Sequence, residues 1–293
     1  MFTTLNKLTG KCLFIALYAL MAREVSAATF LGDGQAGSPG WAAQLWPYYQ
    51  KTDSASVASS FFQLAWFSET GFTGTDQDQI ELWAGVTAGH QESDFEGNDS
   101  RWGTAYPQIG AEWYYKVFAS KAAPNTEGYR AWWISPFAFI NFPNGSDKSS
   151  GFGAGADQYS ATVNMTSFFG YDRWILSASP VGLNYYYHDR NYTELEDGRR
   201  EKLQAGLTLN LADMALGYQV TDSLALGIHH QYDVYNAADS DFKRSERGMV
   251  GPSFTYSGLV DKGLWITGTL DFDYYNENTE HGVTFNAYIG KSF

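Results

Sequence analysis

Cysteine is nearly absent: Cys12 is the one thiol in 293 residues. Thiol catalysis and cysteine-based metal sites are excluded for the chain beyond it, and so is a disulfide. Positive charge is scarce, with 19 Lys and Arg against 32 Asp and Glu and a net charge of −13. A chain this acidic repels phosphate, which excludes nucleic acid as a partner. Beyond residue 27 no uncharged apolar run approaches the roughly 20 residues that a membrane helix needs. No Pro- or Ser-rich linker divides the chain after residue 58.

What is present starts with a charged and then apolar opening. Lys7 and Lys11 precede an apolar run from Cys12 to Ala22, and Val25-Ser26-Ala27 follows. That order predicts a secretion signal over residues 1–27, cleaved after Ala27. A buried N-terminal helix is the alternative, and the flanking charges argue against it. Cys12 opens the apolar run rather than closing it, so it does not read as an acylation site. Cleavage removes three positive charges and one negative charge, bringing the net charge from −13 to −15.

Aromatic residues make up 17% of the chain, with 20 Tyr, 20 Phe and 10 Trp, yet mean hydropathy is negative. High aromatic content without long apolar runs suits a transmembrane β-barrel, whose lipid face uses every second residue. The alternation is direct. Ile80, Leu82, Ala84, Val86 and Ala88 alternate with Gln79, Glu81, Trp83, Gly85 and Thr87. Ile109, Ala111, Trp113, Tyr115 and Val117 alternate with Gly110, Glu112, Tyr114 and Lys116. The same period runs through 159–166, 203–210 and 264–272.

These segments predict an all-β fold, an antiparallel up-and-down transmembrane barrel of about 12 strands, an even number as single-chain bacterial barrels have. The strands fall near 41–52, 58–70, 78–91, 106–119, 128–142, 157–170, 172–190, 200–220, 223–236, 246–258, 263–276 and 280–293. Pro47 makes the first the weakest, so the barrel proper is placed at 57–293 and residues 28–56 are read as a lead-in or plug with a possible first strand. With Phe293 at the periplasmic end, Tyr171-Asp172 and Thr221-Asp222 become tight periplasmic turns. Segments 92–105, 143–156, 191–199 and 237–245 become long, polar extracellular loops. A secreted sandwich or a soluble barrel would alternate too, but its outward face would be polar.

Two strands change phase midway. Trp174, Leu176 and Ala178 are even while Leu183, Tyr185 and Tyr187 are odd; Leu207, Leu209 and Leu211 are odd while Met214, Leu216 and Tyr218 are even. Either paired β-bulges near Pro180 lie opposite each other, or both strands leave the membrane there. The last strand carries Val283, Phe285, Ala287, Ile289 and Phe293 on one face, a pattern that the outer-membrane assembly machinery reads. Lys291 shares that face, near enough to the end to snorkel.

Parity assigns the lumen lining. Glu81, Glu112, Lys116, Asn164, Gln204, Asn210, Gln231 and Asp271 point inward, together with Trp83, Tyr114 and Trp265, which can stack on an aromatic ligand. They form either a permeation path or a mutually satisfied polar filling. In His229-His230 the neighbours face opposite ways, His229 inward, so they cannot share a metal. His188 and Asp189 with nearby serines raise a barrel lipid hydrolase, but no motif specifies a triad. The acidic runs 92–96, 194–197 and 239–241 are solvated loop charge or weak divalent-cation sites at lipopolysaccharide.

The second half carries a further signal: Trp133-Ile134-Ser135-Pro136-Phe137 leading to Asn141-Phe142-Pro143-Asn144-Gly145, then Leu216-Gly217-Tyr218-Gln219-Val220-Thr221-Asp222 and Leu224-Ala225-Leu226-Gly227. Gly251-Pro252, Gly282 and Phe293 complete it. Over roughly residues 130–293 the chain resembles the outer-membrane transporter family associated with the meta-pathway of phenol degradation. It departs from that pattern at 278–281, where an Arg is expected, and at His229-His230, where a Gly-Tyr pair is common. The resemblance implies a passive outer-membrane channel for small hydrophobic or aromatic compounds, with no cofactor and no enzymatic activity. Its expected partners are outer-membrane lipid and lipopolysaccharide, the assembly machinery and the substrate. A structural or adhesive barrel with a filled lumen is the other reading.

Overall fold

A computed structural model describes residues 28–35, 39–70, 78–93, 99–143, 159–187, 192–194, 200–202, 205–237, 244–259 and 262–293. The first strands are β1 (Gly40–Thr52), β2 (Ala55–Glu69), β3 (Asp78–Ser93), β4 (Asp99–Ala119), β5 (Arg130–Asn141), β6 (Tyr159–Tyr171) and β7 (Trp174–Tyr187). A short hairpin, β8 (Tyr192–Glu194) and β9 (Arg200–Lys202), follows. Then come β10 (Ala205–Thr221), β11 (Leu224–Ala237), β12 (Ser245–Leu259), β13 (Leu264–Glu277) and β14 (Gly282–Ser292). All but β8 and β9 form one closed barrel of 12 strands in chain order, β14 pairing antiparallel with β1. Closure leaves no sheet edge, the condition for a sheet to sit in hydrocarbon.

The wall is apolar outside and polar inside. Leu82, Ile109, Val163, Leu183, Leu216, Ile228 and Phe272 are exposed on the outer face. Among the described residues, buried polar side chains outnumber buried apolar ones. That inversion rules out the soluble alternatives, since water would face a continuous apolar band.

The strand positions predicted from alternation hold to a few residues, with two differences. The weakest expected strand, 41–52, is part of the wall as β1, so the wall begins ahead of the barrel boundary placed at 57. Pro47 is accommodated because β1 pairs with β2 throughout, while its ladder to β14 skips positions 46 and 47, where proline has no N–H to give. β4 starts at Asp99, seven residues before the expected 106. It passes Pro107 through a register shift against β3 between Gly85 and Thr87, so the expected 92–105 loop shrinks to 94–98.

Gly40 and Phe293 lie at one barrel end, where the Phe293 N–H donates to the Trp41 carbonyl at 2.9 Å. Lys291 Nζ reaches the Ser292 carbonyl at 3.1 Å there and sits 5.7 Å from the Phe293 ring. The two-residue connections 172–173 and 222–223 share this end. Asp172 adopts φ 53° and takes hydrogen bonds from Arg130 at 2.6 Å and the Gly128 N–H at 2.7 Å. These two donors, the guanidinium first, hold its carboxyl below the usual carboxylate range. The folded pKa is thus lower than the unfolded one. The clasp contributes fully above about pH 4 and is lost as pH falls through the folded value. Protection of the 120–129 connection against protease is expected to be lost below about pH 4 and to be absent already at neutral pH in Asp172→Asn.

Paired bulges account for the phase changes. Pro180 and Val181 are consecutive outward residues on β7, and Leu211 and Ala212 are consecutive outward residues on β10. The two strands keep one register across the break, Val181 opposite Leu211 and Ser179 opposite Asp213. The shifts appear instead against the outer neighbours, between Val163 and Ser167 toward β6 and between Leu211 and Met214 toward β11. Ala212 takes φ 49° to do this, and His230 Nδ1 lies 2.9 Å from its carbonyl. Ala212→Val is expected to cost about 1–3 kcal/mol, read as a lower urea midpoint, because a β-branched residue strains at positive φ.

Candidate functional site

The lumen is occupied by the chain's own N-terminal residues. Ala28, Thr29, Phe30 and Leu31 are all buried. The Thr29 N–H donates to both carboxylate oxygens of Asp213 at 3.1 Å, and its hydroxyl to Ser179 Oγ at 2.9 Å. Gly32 N donates to Ser177 Oγ at 3.0 Å, and Thr255 donates to the Leu31 carbonyl at 2.6 Å. The segment turns sharply at Leu31-Gly32-Asp33-Gly34, closed by the Phe30 N–H to Asp33 Oδ2 at 2.6 Å. Gly32 and Gly34 have φ of 103° and 88°, where a Cβ is strained.

Leu31 centres an apolar layer inside the barrel, with Tyr129, Ala131, Phe168, Ile175, Ala215 and Ala225. Its side chain rests against Gly217, leaving no room there for a Cβ. Phe30 packs against Trp46 at 5.7 Å and stacks with Tyr288 at 6.4 Å.

A buried charge relay stands beside this segment. His229, fully buried, places Nε2 2.9 Å from Asp213 and Nδ1 2.9 Å from Asp271, and both carboxylates are fully buried. A ring with both nitrogens against carboxylates donates from both, so neither is free for a metal. Thr269 donates to the other Asp271 oxygen at 2.9 Å. Farther along, Asn210 and Gln231 both donate to Asp233 at 2.8 Å, and Arg247 pairs with Asp273 and Thr284.

Around the segment lies a cavity of 410 Å³, lined by residues of every barrel strand and by the segment itself. Glu81 is its polar centre: Oε2 accepts from Tyr114 at 2.7 Å, and Oε1 from Gln44 at 3.1 Å and Gln63 at 3.3 Å. Glu112 faces it directly across the β3–β4 ladder. Trp83 and Trp265 line the cavity, each opposite a glycine on the next strand, Gly110 and Gly290. A Cβ on either glycine would collide with the indole, so each ring lies down on its neighbour and leaves the lumen open. Trp83 is further fixed by Nε1 donating to Gln108 at 2.9 Å. Gly110→Val is expected to push this ring inward, at a cost of about 1–3 kcal/mol, with a shift in tryptophan emission as the readout.

The sequence-derived lumen residues thus separate. Glu81, Trp83, Glu112, Tyr114 and Trp265 surround the cavity. His229 and Asp271 belong to the relay, and Asn210 and Gln231 to the filled polar network. Lys116 holds its ammonium 5.4 Å from the Trp133 ring. Asn164 is not among the residues that line the cavity, and its side chain lies beside Gly182. Gln204, His188, Asp189 and most of the acidic loop runs lie outside the described residues. His230 faces outward, 2.9 Å from the Tyr274 hydroxyl. Parity read across the bulge without correction conceals Asp213; Ser177 is inward by the alternation of Trp174, Leu176 and Ala178, while Thr29 and Asp33 carry no local signal.

A closed, even-stranded antiparallel barrel with an apolar exterior and a polar lumen defines an outer-membrane β-barrel fold. The chain is similar in structure to the COG4313 outer membrane channel from Pseudomonas putida F1, with a TM-score of 0.67 at 13% identity over 89% of this chain and 98% of that one. It is also similar to the β domain of the Bordetella autotransporter BrkA, with a TM-score of 0.53 at 11% identity over 88% of this chain and the whole of that one. No family model and no curated protein sequence matches the chain.

Proposed function

We propose that this protein is an outer-membrane channel that passively admits small apolar or aromatic molecules. One observation carries the reading: the lumen holds an aromatic-walled cavity of 410 Å³ beside a short N-terminal segment attached to the wall by a few hydrogen bonds and one apolar seat. Cavities of this size match small-molecule sites. The segment acts as a plug and the cavity around it as the waiting site. The similarity to an outer membrane channel and the resemblance of residues 130–293 to the phenol meta-pathway family support the same reading. The chain would reach the outer membrane after loss of residues 1–27 and assemble through the strand that ends in Phe293.

Uptake of labelled toluene or phenol by a deletion strain is the test. Reduced uptake at low substrate concentration, restored by the gene, is expected; unchanged uptake removes the proposal. The satisfied network around Asp233 and Arg247 favours a second reading, a structural barrel with a filled lumen. Silence in planar bilayers, with and without the N-terminal segment, is what that reading requires.

A further inference from the structure

We infer that the lumen cavity binds an organic cation, an amine or quaternary ammonium group carried on an apolar or aromatic body. The inference rests on the channel reading and names the ligand class of that same cavity.

The charges facing the cavity are of one sign. Asp33, Glu81 and Glu112 line it, and none of its lining residues is Lys, Arg or His. The described cations nearest in the lumen are engaged elsewhere: Lys116 over Trp133, His229 between two aspartates, Arg247 on Asp273. Glu81 is hydrogen-bonded only by neutral donors, Tyr114, Gln44 and Gln63. Dipoles solvate a carboxylate without cancelling its charge. Glu112 stands directly opposite on the adjoining strand, an arrangement in which like charges repel. A cation between the two removes that repulsion.

The cavity itself supplies the second, independent observation. Its volume suits an organic molecule, and its walls are aromatic. Because Trp83 and Trp265 lie flat over Gly110 and Gly290, they present ring faces rather than edges to the interior. Ring faces attract cations. Other occupants fit worse. An anion meets three carboxylates. A neutral arene offers the Glu81–Glu112 pair no opposite charge. A bare divalent ion gains nothing from indole faces and prefers a cage of oxygens.

The probes are benzyltrimethylammonium, its neutral isostere neopentylbenzene, and benzoate, each titrated into the folded protein in detergent while tryptophan fluorescence is followed. The cation is expected to bind about tenfold or more tightly than the isostere, and benzoate not measurably. Glu81→Gln with Glu112→Gln is expected to erase the difference, with heat-modifiable gel mobility confirming that the variant is folded. The three ligands on the unaltered protein carry the test even if the variant fails to fold. Equal or tighter binding of the isostere or benzoate, or no binding of the cation, overturns the inference. Single-channel recording on the same preparation reports separately on the channel. Conductance without cation preference in binding sinks this inference alone; cation binding without conductance, segment present or deleted, sinks the channel reading alone.

Discussion

Deleting residues 28–35 is expected to raise single-channel conductance several-fold while leaving the barrel folded. The segment contributes no strand to the wall, so its loss removes no ladder hydrogen bond. It does occupy the lumen, with Phe30 and Leu31 filling the space between Tyr288 on one side and Phe168 and Ile175 on the other. Gly217→Leu tests the same point without a deletion. Its side chain would take the seat of the Leu31 side chain, and the segment would lose its apolar contact while keeping the bond to Asp213. Conductance between that of the intact and deleted proteins is the expected outcome. An unchanged conductance in both variants would show that the constriction lies elsewhere.

His229→Ala carries the largest expected cost in stability. It removes the one positive partner of Asp213 and Asp271, both fully buried, and leaves two uncompensated carboxylates. Breaking a buried pair this way costs about 3–5 kcal/mol. The readout is the temperature or urea concentration at which the folded band on a gel disappears. Adding Asp213→Asn and Asp271→Asn to His229→Leu is expected to recover most of the loss, because neutral groups of similar shape remove the charge that needed a partner. The triple variant should still conduct more than the intact protein. Asp213 also accepts the Thr29 N–H, and an amide there binds the segment less firmly than a carboxylate. If His229→Ala unfolds no earlier than the unaltered protein, the relay is not a stabilising feature and that account of the lumen fails.

The wall was legible because lipid and lumen impose opposite demands on adjacent residues. Ile80 through Ala88 states the outer face with no knowledge of its neighbours, and so do Tyr159 through Met165. Glu81, Trp83, Glu112, Tyr114 and Trp265 follow as inward by the same parity, and they surround the cavity. Parity failed where the backbone departs from extended geometry. The positive φ at Ala212 inverts the count, so alternation alone does not mark Asp213 as a lumen residue. It also says which side a residue faces, not whom it meets: alternation puts His229 inward, but nothing local names its two aspartates.

The amino-acid sequence by itself determined the architecture: period-two alternation, an even number of strands and aromatic richness without apolar runs leave a closed membrane barrel as the structure that satisfies every backbone group in hydrocarbon. Only the tertiary structure decided how the lumen is used. Thr29 meets Asp213 across 184 residues of chain and His229 meets Asp271 across 42. Trp83 lies flat only because ladder register sets Gly110 beneath it. Such contacts depend on where distant strands stand when the barrel closes, and a local pattern carries no record of that distance.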